Sequence, residues 1–328
     1  MQNMNRDIRL DILRIMAISM VVLMHSPIPY ANPGAVVMLL SYITAPGLVL
    51  FFMISGALLL GSSLSTEEFL NRRFKKILFP TIFWTLFYLI VNYAYGETTP
   101  MGFLKSLLSL PFNEQGTSVL WFMYTLAGLY LLTPILSCWL KKASKHEIEF
   151  YLLLWGISLL YPYLSLWLWV DESNTGVLYY FSGYVGYFVL GYYLRFFYDY
   201  RRWHVFFAII VALFIPLAFY VSRVDFDFYS VLWYLSLPVA LLASLLFIFI
   251  RRLPGIENEW LPKVANLSFG VYFVHIFIMR RIIWSIGIIN DMPGLVQIFL
   301  VAIISLLLSY IVSWLISKLP FSKYIIGA

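Results

Sequence analysis

The chain reads as a succession of long apolar runs, each closed by basic residues, Pro or Gly, and none alternates apolar with polar residues as a membrane barrel strand would. Bounded in this way, the runs predict spans near residues 8–27, 41–61, 76–95, 119–139, 149–170, 177–196, 203–221, 229–250, 265–285 and 295–317. Inside a bilayer the backbone polar groups must be satisfied within the segment, so runs of about 20 apolar residues are helices. The expected fold class is all-α, a polytopic integral membrane protein with about ten transmembrane helices in a single membrane-embedded domain over 1–328. Between the third and fourth spans, residues 96–118 carry Pro100, Pro111 and Gly116. This stretch predicts a short interfacial helix around Phe103–Leu110, a candidate cover for an outer vestibule.

Charge orients the spans. With the N-terminus cytoplasmic, only Lys105, Arg223, Arg280 and Arg281 of the 22 basic side chains fall on the outer side, and the positive-inside rule then places both termini in the cytoplasm. Asp11 and Arg14 interrupt the first run, and no small-residue cleavage site follows His25, so the run is expected to be a retained span rather than a signal peptide. Of the 328 residues, 62% are hydrophobic and 12% charged, about half the charged share of a soluble domain, which excludes an ordinary soluble enzyme. No soluble accessory domain is expected. The net charge of +6 comes from small basic clusters between apolar runs, a distribution that argues against nucleic acid as partner. Cys138 is the single cysteine, so neither an internal disulfide nor a thiolate cluster is available, and no metal is expected. Phosphate-loop, zinc-protease, Gly-x-Ser-x-Gly and Ser-x-x-Lys signatures are missing from the sequence.

Ionisable residues inside spans are costly and mark functional sites by default. Asp11 and Arg14 lie near the start of the first span and His25 near its end. Eleven residues at about 100° each bring His25 to within about 20° of Arg14, with Asp11 about 60° away, so the three share a face. The same steps separate Arg14 from His25 by roughly 16–17 Å, so they serve different ends of one cavity. The plainer alternative is an Asp11–Arg14 ion pair at spacing i,i+3 and a histidine in headgroup water. His275, deep in the ninth span, is either a satisfied buried imidazole or a second lining group, and Ser55 is a further lining candidate beside a Gly that permits close packing. Arg280 and Arg281 either snorkel to lipid phosphates or bind an anionic acceptor. Arg72, Arg73, Lys75 and Lys76 fix topology or receive a phosphorylated cofactor from the cytoplasm. Aromatic residues, 19% of the chain, suit interfacial belts and also sugar stacking.

The stretch Arg9-Leu-Asp11-Ile-Leu-Arg14 followed by His25 resembles the R-x10-H motif of the membrane acyltransferase 3 family. Four further segments are similar in order along the chain: LFFMISGALLL around Ser55, LWFMYTLAGLYLLTP from Leu120, YFSGYVGYFVLGYYLR around Gly191 and SFGVYFVHIF around His275. The resemblance, closest in size to stand-alone O-acetyltransferase members, implies a ten-helix protein of the bacterial cytoplasmic membrane. It implies transfer of an acyl group, usually acetyl from cytoplasmic acetyl-CoA, to a hydroxyl of a cell-surface glycan or glycolipid. The implied functional positions are His25, Arg14 and Asp11, with His275 lining the cavity and the donor's phosphates on Arg73, Lys76 and Arg14. The family's second arginine of an R-x-x-R pair is lysine here, so Lys76 keeps the charge and loses bidentate phosphate contact. His25 is expected as general base, its reference pKa of about 6.5 suiting proton removal from the acceptor, or as a transiently acylated nucleophile. Asp11 is expected to orient Arg14. A transporter or flippase using the same polar residues is the rival reading.

Overall fold

The first helix begins at Ile8 because the Asp7 side chain accepts a hydrogen bond from the Arg9 backbone N–H, and it continues unbroken to His25. In the computed structural model the described residues are 6–27, 34–110, 120–168, 176–222, 227–254 and 258–327, and among them regular structure is entirely helical. Arg223, and the part of the 96–118 loop with Pro111 and Gly116, lie outside the described residues. In chain order the helices are α1 (Ile8–His25), α2 (Ala35–Thr44), α3 (Pro46–Leu59), α4 (Thr66–Phe69), α5 (Lys75–Ala94), α6 (Pro100–Ser109), α7 (Trp121–Leu140), α8 (Lys145–Ser158) and α9 (Tyr161–Leu168). They continue as α10 (Val185–Phe196), α11 (Arg202–Ser222), α12 (Phe228–Val231), α13 (Leu237–Arg251), α14 (Trp260–Asn266), α15 (Ser268–Ile278), α16 (Gly287–Asn290), α17 (Gly294–Ser317) and α18 (Ser322–Ile325). Single π-helical turns occupy Leu70–Phe74 and Met279–Ile283.

The chain forms two compact units, Met1–Gly61 with Cys138–Ala265 and Ser62–Ser137 with Asn266–Ala328. In the first, α3 is apolar and buried on nearly every side, as a central helix must be. Glycines let its neighbours come close. A methyl group at Gly56 would fall on the Phe188 carbonyl of α10, and one at Gly191 of α10 would fall on the Met53 carbonyl of α3. At the other end of α3, the Cβ position of Gly47 lies 2.8 Å from the Ala17 carbonyl oxygen of α1. Leu10, Leu13, Ala17, Ile18, Val21 and Val22 make the buried stripe of α1, at the spacing of one helical face.

In the second unit, Gly270 of α15 admits Ser313 of α17, and Ser305, Ser309 and Ser313 repeat every fourth residue along the buried face of α17. Trp84 of α5 stacks on Phe273 of α15, with ring centroids 5.7 Å apart, and Tyr88 donates to the Phe273 carbonyl at 2.7 Å. Pro80 strips the Lys76 carbonyl of its helical partner. The chain's last turn closes over that point: Trp84 donates to the Ile325 carbonyl at 2.8 Å, and Gly327, at φ +68°, brings its backbone against the Lys76 oxygen.

Each predicted span has a helical counterpart, but length and apolarity alone single out fewer. Among the described residues Ala35–Leu59, Thr66–Ala94, Trp121–Leu140, Arg202–Val221 and Gly294–Ser317 are long and apolar enough to cross a bilayer, and Trp260–Asn266 with Ser268–Ile283 makes a sixth if that broken pair is one span. The others fall short for physical reasons. The first helix carries Arg9, Asp11 and Arg14; the fifth span breaks into α8 and α9 at Leu159–Leu160; α10 and α13 have only 12 and 15 residues. The predicted helix near Phe103–Leu110 is α6, started three residues earlier by the Thr99 side chain capping Gly102 N–H.

Overpacking at α3 and α10 sets a stability test. Gly56→Ala and Gly191→Ala are each expected to destabilise the detergent-solubilised protein by about 2–3 kcal/mol, because the clashing atoms are backbone. Gly128→Ala and Gly156→Ala, in helices with open space around them, are expected to be neutral or stabilising by up to about 1 kcal/mol. Thermal unfolding that ranks the four variants alike would contradict the packing described.

Candidate active site

The cluster at the start of α1 is built around one buried carboxylate. Asp11 is 2% exposed, and its two oxygens accept from Arg6 Nε at 2.7 Å and Arg6 Nη2 at 2.9 Å, a bidentate fork. Arg14 Nη1 stands at 3.6 Å from Asp11 Oδ1, so the i,i+3 pair exists but is the looser of the two. Arg6 also donates to the Pro262 carbonyl at 3.1 Å, which ties the segment ahead of the helix to α14. Two guanidinium groups thus face one buried carboxylate, Arg6 through a bidentate fork and half-buried Arg14 at the longer distance.

At the other end of α1, His25 is half-buried and its Nδ1 donates to the Val21 carbonyl at 2.9 Å, one turn back. That bond selects the neutral tautomer whose lone pair is on Nε2, so Nε2 is the basic nitrogen. An unbroken helix of 18 residues separates the two features, which keeps Arg14 and His25 roughly 16–17 Å apart. Ser55 lies half-buried on α3 beside the Gly56 crossing.

A chain of arginines, read from the sequence only as topology signals, joins four helix ends in this unit. Arg195 of α10 donates to the Ala57 carbonyl in the last turn of α3 at 2.7 Å. Arg251 of α13 donates to the Arg195 and Leu194 carbonyls that close α10, at 2.6 and 3.3 Å. Arg9 of α1 donates to the Arg251 carbonyl that closes α13 at 3.2 Å, while its Nε pairs with Asp7 at 3.0 Å. Each cation thus caps the carbonyl end of the next helix, where the helix dipole favours positive charge. The sequence signal was arginine at the start of one apolar run, Arg9, and at the ends of two others, Arg195 and Arg251.

The remaining predicted residues lie in the second unit. Arg73 sits in the π turn Leu70–Phe74 and Lys76 in the first turn of α5; both are exposed, and among the described residues neither has a carboxylate partner within ion-pair distance. Arg72, by contrast, faces Glu68 at 3.7 Å. His275 is 1% exposed and its Nδ1 donates to the Tyr272 carbonyl at 2.6 Å, giving it the same Nε2 tautomer as His25. Arg280 and Arg281 occupy the other π turn, Met279–Ile283. Arg280 is exposed; Arg281 pairs with Glu97 at 2.8 Å and lies over the Tyr95 ring at 4.1 Å. Both π turns therefore carry the arginine pairs singled out in the sequence, a conformation often found at functional sites.

Residues 7–317 match the family model of an acyltransferase domain. The chain belongs to the acyltransferase 3 family. No curated protein and no solved structure matches it. In this acyltransferase one helix, α1, carries the Arg6–Asp11–Arg14 cluster near its start and the His25 imidazole at its end. Among the described residues no group of His, Cys, Asp or Glu is placed to hold a metal ion.

The Arg6–Asp11 fork, like the arginine chain, leaves no mark in the helical pattern, since Arg6 precedes the helix and obeys no helical spacing. A double-mutant cycle of Arg6→Ala and Asp11→Asn is expected to give a coupling energy of about 1–2 kcal/mol, held below that of a fully buried pair by the 43% exposure of Arg6. Coupling indistinguishable from zero, or weaker than that between Arg14 and Asp11, would show that Arg6 does not hold the carboxylate.

Proposed function

We propose that this acyltransferase is an O-acetyltransferase of the bacterial cytoplasmic membrane. It moves acetyl from cytoplasmic acetyl-CoA to a hydroxyl of a cell-surface glycan or glycolipid. The observation that carries the reading is α1, where family membership meets a cationic cluster and a histidine base on one continuous helix. The proposed topology has ten crossings with both termini cytoplasmic, the short helices α10 and α13 and the broken α8–α9 pair counting as crossings. Its support is the positive-inside count, together with the arginine chain that gathers the start of α1 and the ends of α3, α10 and α13. The acetyl preference rests on the family resemblance, which usually implies acetyl, and on similarity in size to stand-alone members such as the O-acetyltransferase of enterobacterial common antigen.

In this mechanism His25 Nε2 takes the proton of the acceptor hydroxyl as its oxygen attacks the thioester carbonyl. The carbon–sulfur bond then breaks, CoA leaves as thiolate, and the imidazolium returns the proton to it. Asp11, clamped by Arg6, positions Arg14, which contributes positive charge for the donor's phosphates. The family resemblance also assigns donor phosphate contacts to Arg73 and Lys76. Arg73, with its planar fork, makes the stronger one.

Purified protein in nanodiscs is expected to release free CoA thiol slowly from acetyl-CoA even without acceptor, and His25→Ala at matched folding is expected to abolish that release. Arg73→Ala is expected to raise the KM for acetyl-CoA about tenfold with little change in kcat, the loss of one charge-assisted contact. Lys76→Arg is expected to preserve or lower that KM. Thiol release that is unaffected by His25→Ala removes the histidine from the chemistry, and wild type that neither binds nor turns over acetyl-CoA defeats the transferase reading.

A further inference from the structure

The segment from Asp227 to Ser236, at the His25 end of α1, is held to the rest of its unit by backbone carbonyls rather than by apolar contact alone. Tyr163 of α9 donates to the Val231 carbonyl at 2.7 Å and Tyr187 of α10 donates to the Tyr234 carbonyl, while within the segment Ser236 Oγ donates to the Trp233 carbonyl at 2.7 Å. Asp227 caps the short helix α12 by accepting from Tyr229 N–H at 3.2 Å. The Tyr234 hydroxyl reaches Met24 Sδ at 3.3 Å, one residue before the proposed base.

This pinned backbone carries a cluster of aromatic rings. The Trp233 centroid lies 4.5 Å from that of Tyr234, 5.0 Å from Tyr229 and 5.8 Å from Phe228. Tyr234 is buried and Trp233 half-buried, while Tyr229 is 58% exposed and Asp227 is exposed at the edge of the cluster. Residues of an interfacial belt have no need of such bracing, because lipid headgroups accept an aromatic ring in many orientations. A ring fixed at both its backbone and its edges, with a phenol beside it and a carboxylate capping the same short segment, suits a rigid partner that has one apolar face and a rim of hydroxyls.

We propose that Phe228, Tyr229 and Trp233 form the acceptor subsite, taking the C–H face of a pyranose ring against Trp233 so that a hydroxyl of the same saccharide is presented to His25. The assignment rests on the transferase reading above and names its acceptor chemistry. C–H bonds polarised by ring oxygens are attracted to the negative face of an indole, and Asp227 and the Tyr229 hydroxyl are the groups that would bond the sugar's hydroxyls.

The test uses the full chain in nanodiscs, acetyl-CoA as donor and methyl pyranosides of glucose, galactose, rhamnose and N-acetylglucosamine as probes, with thiol release as readout. At least one pyranoside is expected to stimulate wild type. Trp233→Ala is expected to raise the KM for that pyranoside about three- to tenfold, the range for one lost stacking contact. The KM for acetyl-CoA should stay unchanged. Trp233→Phe should restore most of the loss, and Tyr229→Ala, at an exposed ring, should weaken the pyranoside without lowering the Tm. An unchanged pyranoside KM in both alanine variants overturns the subsite, as does wild type that turns over acetyl-CoA through His25 yet responds to no pyranoside. Wild type without any acetyl-CoA turnover overturns the transferase reading and the subsite with it, and the acceptor-independent assay tells that failure from the others.

Discussion

Close approach of α3 to α10, backbone against backbone at Gly56 and Gly191, is the contact on which the first unit depends. Lipid removes most of the hydrophobic drive for helix association, so the gain must come from dispersion and from weak Cα–H to carbonyl contacts at short range. Both require that no Cβ intervene. With α10 seated on one side through Gly56 and α1 on the other through Gly47, α3 becomes the fixed axis from which α1 takes its position.

That position matters because the residues proposed for the chemistry are distributed along α1. The helix is too polar at its first turn to be an ordinary span, and the cost of Asp11 there is offset by the Arg6 fork and by Arg14. The arginine chain through Arg9, Arg251 and Arg195 adds a second constraint, since each cation neutralises the carbonyl end of the next helix and so sets relative heights as well as charge. Charges that a positive-inside count treats as equivalent thus divide into two kinds. Arg195 and Arg251 are committed to carbonyls within the protein, whereas Arg73 and Lys76 are exposed and, among the described residues, face no carboxylate.

Helices whose apolar runs end in charge were legible almost to the residue: 76–95, 203–221 and 295–317 correspond to Lys75–Ala94, Arg202–Ser222 and Gly294–Ser317. Breaks inside apolar runs were not. Leu159–Leu160 has apolar residues on both sides and offers no change in composition, while the join between α2 and α3 was announced only by Pro46 at the first position of α3. The shared face of Asp11, Arg14 and His25 followed from helical geometry. Arg6 escaped because it lies outside the helix, and the two π turns escaped because an inserted residue leaves hydropathy unchanged. The arginines at the ends of α10 and α13 were visible as charges, but their partners, carbonyls from helices distant in sequence, were not.

The most direct measurement of acyl transfer along α1 follows acetyl across a membrane. Sealed vesicles with the cytoplasmic face outward would receive radiolabelled acetyl-CoA outside and carry saccharide acceptor in the lumen. With wild type, label is expected in the lumen as alkali-labile ester on saccharide, and with His25→Ala none is expected. Luminal label recovered as intact acetyl-CoA, or ester formed equally by the His25→Ala protein, would contradict transfer through this helix.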